Sequence, residues 1–159
     1  MNNNLKIGGI FCDLQKAFDC VNHKILLNKL EFYGIQGKFI TLIESYLNGR
    51  YQKVTLNTNT TTNSSSKLEL INNGVPQSSI LGPLFFLFYI NDLPKIITKN
   101  NSIVLFADDT SLLITDSNKL DFNTNINQSL PNIISWFNSS LVVLNLNKIH
   151  YVEFRTKNY

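Results

Sequence analysis

Apolar positions recur along this chain with two periods, and the change of period separates strands from helices. Ile7-Gly-Gly-Ile-Phe-Cys-Asp13-Leu14 alternates. Period 2 sets Phe11 and Asp13 on one face and Ile10, Cys12 and Leu14 on the other, which predicts a buried strand that ends on an acid. A period near 3.6 follows: Asp19 or Asn22 caps a helix over Val21 to Phe32, with Ile25, Leu26 and Leu30 inward and Gly34 as terminator. A second helix spans Gly37 to Leu47, with Phe39, Ile40, Ile43, Tyr46 and Leu47 inward. Tyr51 to Leu56 and Lys67 to Ile71 read as strands, and the polar, low-complexity 57–66 between them as a mobile loop. Gly and Pro shape the loop from Asn73 to Gly82, after which Pro83 opens a helix, apolar nearly all round, that Pro94 ends. Ser117 to Phe137 is helical, with Leu120, Ile126, Leu130, Ile133, Trp136 and Phe137 inward and a kink at Pro131. Leu141 to Leu144 and His150 to Phe154 are closing strands.

Between the two long helices lies the stretch with the most chemistry, Ser102-Ile-Val-Leu-Phe106-Ala-Asp108-Asp109-Thr110-Ser-Leu-Leu-Ile114. Its apolar halves have strand length and Asp is a turn former, so it reads as a tight β-hairpin with two acids at its tip. A turn does not need the second acid, because adjacent like charges repel and raise one pKa. A divalent cation relieves that repulsion. A solvated Asp-Asp turn is the plainer alternative, and Asp13, a third acid ending another strand, is what tilts the balance: buried alone it is costly, so it needs a partner or a metal.

Composition narrows the class. The 159 residues are enough for one compact domain, and 43% hydrophobic content excludes a disordered chain. A net charge of +3 permits a nucleic-acid partner without demanding one. Cys12 and Cys20 lack metal-type spacing and read as reduced, part-buried thiols of an intracellular protein. The start carries no signal peptide, and the longest apolar run, Ile80 to Ile90, is interrupted by Gly82-Pro83 and falls short of the roughly 20 residues of a membrane span.

One strand-borne Asp and a hairpin Asp pair are what two-metal phosphoryl transfer uses, with two ions about 4 Å apart clamping the attacking and leaving oxygens. The order and local sequence make the pattern far more specific. Asp13-Leu-Gln-Lys-Ala-Phe18-Asp19, Gly74-Val-Pro-Gln-Ser-Ser-Ile-Leu-Gly-Pro83, Phe106-Ala-Asp-Asp109 and Leu144-Asn-x-x-Lys148, in that order, closely resemble the reverse transcriptase palm of non-LTR, jockey-like (LINE-type) retrotransposons. The connecting Ser45-Tyr-Leu-Asn-Gly-Arg50-Tyr-Gln and Tyr89-Ile-Asn-Asp-Leu-Pro94 are similar to that family too, so the resemblance runs from about Ile7 to Phe154.

The resemblance implies an α+β fold, a palm-type antiparallel sheet backed by helices, and RNA-directed DNA synthesis: two-metal transfer of a nucleotide from a dNTP to a primer 3′-OH on an RNA template. Asp13, Asp108 and Asp109, with the Leu14 carbonyl, would hold two Mg²⁺ ions, for which Mn²⁺ could substitute. Main-chain N–H groups of Gln15, Lys16, Ala17 and Phe18 would line the triphosphate, the Phe18 ring would act as a gate against the ribose 2′-OH, and Gln77 would touch the incoming dNTP. Lys148 would serve the leaving pyrophosphate as charge stabiliser or general acid, a solvated surface Lys being its plainer reading. Arg50, Lys53 and Ser78 are the nucleic-acid contacts, and His23 is assigned no chemistry. Ser78 stands where the family usually has Gly, and Ile149 where it commonly has Thr. Fingers, thumb, endonuclease and RNA-binding parts would lie outside this chain, leaving it little activity alone, in a nuclear or cytoplasmic ribonucleoprotein. Two other readings stand beside this one: a catalytically inactive remnant that binds nucleic acid or protein, and a different Mg²⁺ phosphotransferase or nuclease, which Phe18 and Gln77 disfavour.

Overall fold

The computed structural model describes residues 5–56, 64–97 and 101–154. Its centre is β1 (Lys6–Cys12), the alternating strand, which pairs antiparallel with β7 (Asp109–Asp116) on one side and β8 (His150–Phe154) on the other. β6 (Asn101–Phe106) completes a four-stranded sheet in the order β6-β7-β1-β8. Helices cover one face of it. α1 (His23–Phe32), α3 (Leu81–Ile90) and α4 (Lys119–Ser139) bring Leu26 and Leu30, Phe85 and Phe86, and Phe122, Ile133 and Phe137 into one core with the sheet's Ile10, Cys12, Leu112 and Ile114. α2 (Lys38–Leu47) packs on α1. Lys29 of α1 fastens this layer: its ammonium pairs with Asp92 at 2.7 Å, 4.7 Å from the Trp136 ring centroid. No described helix is long and apolar enough to cross a membrane.

The α+β class and the palm-type antiparallel sheet agree with the sequence reading, and so do most elements. α1 begins where Asn22 accepts a hydrogen bond from the Ile25 N–H, so Asn22 and not Asp19 is the cap. The two strands expected over 51–56 and 67–71 are shorter and paired twice: β2 (Tyr51–Gln52) with β5 (Glu69–Leu70), and β3 (Thr55–Leu56) with β4 (Ser64–Ser65). The expected 57–66 loop therefore gives up its end to a strand, and 57–63 lie outside the described residues. Pro94 ends α3 earlier than expected. The N–H it lacks is the one that would bond the Ile90 carbonyl, so the α-helix stops there and Pro94 sits in a 3₁₀ turn over Leu93–Ile96.

Two residues expected inward face out. Phe39 is 72% and Leu120 is 77% exposed. The buried stripe of α2 follows Ile40, Ile43 and Leu47, leaving Phe39 about 100° away; that of α4 follows Phe122, Ile126, Ile133 and Phe137, and Leu120 lies about 200° from Phe122.

Leu141 to Leu144 is not a strand. Leu141 has φ +53, and the Val142 N–H bonds the Phe137 carbonyl at 2.9 Å while the Leu141 N–H bonds that of Asn138 at 3.1 Å. This is a Schellman closure, the same pattern with which Gly34, at φ +93, ends α1. At the end of α4 a leucine occupies the left-handed position that glycine favours, at a cost of roughly 1–2 kcal/mol. Leu141 is 56% exposed, so removing its side chain loses little burial. Leu141→Gly is therefore expected to raise the melting temperature by about 2–4 °C in a thermal unfolding scan; an unchanged or lower value would show that the leucine side chain matters more than its backbone strain.

Candidate active site

The acids are brought together by the register of the sheet. Phe106 pairs with Asp109, so the hairpin closes on the two residues Ala107 and Asp108, with Ala107 at φ +51. A two-residue hairpin turn demands positive φ at a position where alanine carries strain, and such strain concentrates at functional sites. On the other side Cys12 pairs with Thr110, which sets Asp13 beside Asp109. Alternation then places Phe11, Asp13, Asp109 and Ser111 on one face of the sheet, opposite the helices. These four residues line a cavity of about 350 Å³ together with Lys148 and His150.

Asp13 is tied down from the far end of the chain. Its carbonyl accepts the Asn145 N–H at 2.9 Å, the Gln15 N–H bonds the Val143 carbonyl at 2.8 Å, and Leu14 faces Leu144 in an isolated bridge. A single 3₁₀ turn over Leu146–Lys148 then returns Lys148 to the acid. The Lys148 Nζ lies 3.1 Å from Asp13 Oδ2, and the Asn145 Nδ2 donates to the same oxygen at 3.2 Å. The Lys148 hydrogen bond, chiefly, holds the Asp13 carboxyl below its ordinary value; partial desolvation opposes this, and Asn145 and the Lys148 charge add to it.

The expectation that Asp13, Asp108 and Asp109 converge within one metal-site radius is not met. Among the described residues no three His, Cys, Asp or Glu side chains are gathered closely enough to hold a metal ion. Asp13 and Asp109 share the cavity; Asp108 sits in the turn, outside its lining. Like charges at the tip of a hairpin repel, and the charge of Asp13 is met by Lys148. The donor set still fits a hard divalent cation, because Mg²⁺ commonly takes one or two carboxylates and fills its remaining positions with water and phosphate oxygens.

A second cluster lies where the chain turns out of the sheet. Lys16 has φ +46, and its carbonyl accepts the N–H groups of Asp19 and Cys20. Ala17 is buried, and the Phe18 ring packs against Phe86 at 4.9 Å between centroids. The loop from Gly74 lies directly on this turn: the Gly74 N–H bonds the Val21 carbonyl, the Val75 N–H bonds that of Phe18, and His23 Nε2 meets the Gly74 carbonyl at 2.8 Å. Gly74 has φ +89, and a Cβ there would stand 3.0 Å from the Asp19 backbone. Gln77 donates to Asp19 Oδ1 at 3.3 Å. The start of α3 is locked to the same loop. A Cβ on Gly82 would fall 2.0 Å from the Pro76 carbonyl oxygen, and Ser79 Oγ accepts the Gly82 N–H.

The residues singled out from sequence thus fall into two groups. Asp13, Asp109 and Lys148 meet in the first cavity; Lys16, Arg50 and Gln77 meet in another of about 500 Å³. Leu14 has its side chain in the core; Gln15, Ser78 and Lys53 are exposed and line neither. His23, to which the sequence assigns no chemistry, is buried and clamps the Gly74 loop. Asn145, whose side chain reaches Asp13, carried a signal in its spacing, three residues before Lys148.

An alternating strand that ends on an acid beside a β-hairpin acid pair, in an antiparallel sheet backed by helices, is a palm-type nucleotidyltransferase arrangement. Residues 2–158 match the reverse transcriptase (RNA-dependent DNA polymerase) family, and the chain belongs to it. It is 27% identical over 163 residues to the RNA-directed DNA polymerase from mobile element jockey of Drosophila melanogaster, covering 99% of this chain and 17% of that protein. It is also 27% identical over 151 residues to the probable RNA-directed DNA polymerase from transposon BS of the same species, covering 87% and 15%. The chain thus spans 15% to 17% of the length of these curated relatives. In fold it is similar to telomerase from Candida tropicalis, with a TM-score of 0.65 at 14% identity over 97% of this chain and 32% of that one. A second telomerase structure from that organism, in complex with a TWJ fragment of telomeric RNA, matches equally well at 12% identity.

Because its folded value lies below the ordinary 3.8, the Asp13 carboxylate stabilises the fold above that value, and the contribution is lost as the pH falls through the lowered folded one. Lys148→Met is expected to move the Asp13 titration up toward 3.8 in a carboxyl-carbon NMR titration. A midpoint that stays put would mean that Lys148 does not hold the acid in solution.

Proposed function

We propose that this chain carries out RNA-templated nucleotidyl transfer from dNTPs to a primer 3′-OH, as the palm of a longer polymerase. The observation that supports this most is the shared face: Asp13 and Asp109, from neighbouring strands, line one cavity with Lys148 in a chain of the reverse transcriptase family. Asp13 and Asp109, with Asp108 and the Leu14 carbonyl beside them, would hold Mg²⁺, or Mn²⁺ in its place. The ions would supply charge neutralisation at the attacking and leaving oxygens.

The chain's own groups do the rest. Lys148 Nζ, already at the cavity, neutralises the leaving pyrophosphate or gives it a proton, releasing Asp13 Oδ2 as it does so. The Gln15 N–H, expected to face the triphosphate, is taken by the Val143 carbonyl; those of Lys16 to Phe18 curl around a residue of positive φ, the geometry of an anion-binding nest, and suit the triphosphate. The Phe18 ring, fixed against Phe86, excludes the 2′-OH, and Gln77 borders the nucleotide. Ser78, Arg50 and Lys53 touch template or primer. Backbone contacts dominate affinity for a duplex, and a net charge of +3 provides few of them, so the chain alone is a weak polymerase. Its place is an intracellular ribonucleoprotein, nuclear or cytoplasmic, with the RNA template and DNA primer as partners.

The hold of Lys148 on Asp13 favours one rival, an inactive remnant that binds nucleic acid or protein. Primer extension separates the two. The chain joined to the flanking sequence of a jockey-type relative should extend a DNA primer on an RNA template with dNTPs and Mg²⁺, and Asp13→Asn or Asp109→Asn should each cost about 10²–10³-fold in rate. Millimolar Mg²⁺ or Mn²⁺ should also raise the melting temperature of the chain alone, by linkage. Extension that survives both substitutions would sink the assignment, and RNA binding with neither extension nor a metal-dependent shift would establish the remnant.

A further inference from the structure

Asn145 stands at the start of the short turn over Leu146–Lys148, where an asparagine ordinarily accepts a hydrogen bond from an N–H two or three residues on. Its side chain makes no such bond. Nor does the backbone call for asparagine, since φ is −84, outside the left-handed region that this residue tolerates. The amide goes to Asp13 instead. Nδ2 donates to Asp13 Oδ2 at 3.2 Å, while the Asn145 main-chain N–H bonds the Asp13 carbonyl at 2.9 Å. One residue thus grips the acid at both its backbone and its carboxylate. The Asn145 carbonyl accepts the Lys148 N–H at 2.9 Å, so the same residue starts the turn that returns Lys148.

Lys148 meets the same oxygen, and two differences decide which group fixes it. The Lys148 side chain is 63% exposed and reaches Asp13 along a flexible four-carbon stem; exposed pairs of this kind contribute little. Asn145 is half-buried, its side chain is short, and its backbone is already bonded to its target. Charge separates them further. A divalent cation at Asp13 repels the ammonium of Lys148 and leaves a neutral amide in place. Both contacts fall on Oδ2, so Oδ1 is the carboxylate oxygen that neither group engages.

We infer that Asn145 is the positioning residue of this site: its amide fixes the Asp13 carboxylate in one orientation, leaves Oδ1 for a divalent cation, and holds the acid in place when Lys148 departs. The inference rests on the reading of Asp13 as a metal ligand. Groups that orient a ligating side chain through a hydrogen bond typically govern metal affinity by about 10–100-fold.

The test uses the intact chain with Mn²⁺ as the probe. Asn145→Ala keeps both main-chain bonds and removes the amide, Asn145→Leu keeps the volume and removes the donor, and Lys148→Met removes the charge. In isotope-labelled samples the three-bond couplings of Asp13 report its χ1 rotamer. The parent and Lys148→Met should each show one rotamer, and both Asn145 variants should show averaging. Mn²⁺ affinity, read by electron paramagnetic resonance, should fall about tenfold or more in both Asn145 variants. Their melting temperatures without metal should stay within about 4 °C of the parent. A merely structural asparagine would do the reverse, lowering the melting temperature while sparing rotamer and affinity. In the chain joined to the flanking sequence of a jockey-type relative, Asn145→Ala should lower kcat for primer extension and leave the KM for dNTP unchanged. Averaging in the Asn145 variants of a chain that binds no Mn²⁺ would uphold the positioning and refute the metal reading, so the two failures are distinct. A single Asp13 rotamer in Asn145→Ala, averaging already in the parent or in Lys148→Met, or a measurable Mn²⁺ affinity unchanged in both Asn145 variants would overturn the inference.

Discussion

The pairing of β1 with β7 in one particular register is the constraint on which the rest depends. With Cys12 opposite Thr110, the apolar set of Ile10, Cys12, Leu112 and Ile114 faces the helices, and Asp13 and Asp109 face away from them. A slip of β7 by one residue turns its faces over, putting Asp109 into the core and Leu112 and Ile114 into water. Core and site are therefore enforced together. The same burial that stabilises the sheet holds the acids at its open end, and neither could drift without the other.

On that frame the chain closes on itself in two places. Residues 13–15 are stitched to 143–145 by backbone hydrogen bonds, which carries Lys148 to the acid ending β1. Residues 18–23 are stitched to the Gly74 loop, with His23 and Asp19 as its side-chain anchors. Gly82 then allows α3 to approach that loop so closely that no larger residue fits. Each closure joins segments far apart in sequence, and each borders one of the two cavities. The sheet is the floor of the first and the Gly74 loop a wall of the second.

Much of this is legible without coordinates. Alternation alone predicts which face of β1 carries Asp13, and β-branched runs around two acids predict the hairpin; its tip differs, holding Ala107 and Asp108 while Asp109 opens β7. Each difference from the sequence reading has its own cause. Phe39 and Leu120 are apolar and near the inward phase, yet a helix packed on one side buries a narrow stripe and leaves both exposed. Leu141 to Leu144 has strand-like composition, but the Schellman closure of α4 claims its first residues. Asp13, Asp108 and Asp109 were expected to share one metal-site radius. Spacing along the chain predicts that they approach, and says nothing of a lysine that reaches one of them first.

What the amino-acid order determines by itself is periodic or local: most strand and helix phases, the terminator at Gly34, the hairpin around the acid pair, and the four motifs that mark the family. These depend on neighbours within a few residues, where side-chain geometry and backbone dihedrals act directly. What only the tertiary structure decides is pairing across distance. That Asn145 and Lys148 meet Asp13, that His23 holds Gly74, and that Arg50 and Lys16 line one cavity all arise from segments dozens of residues apart. Their meeting depends on how the sheet and helices pack, and packing is a property of the whole chain.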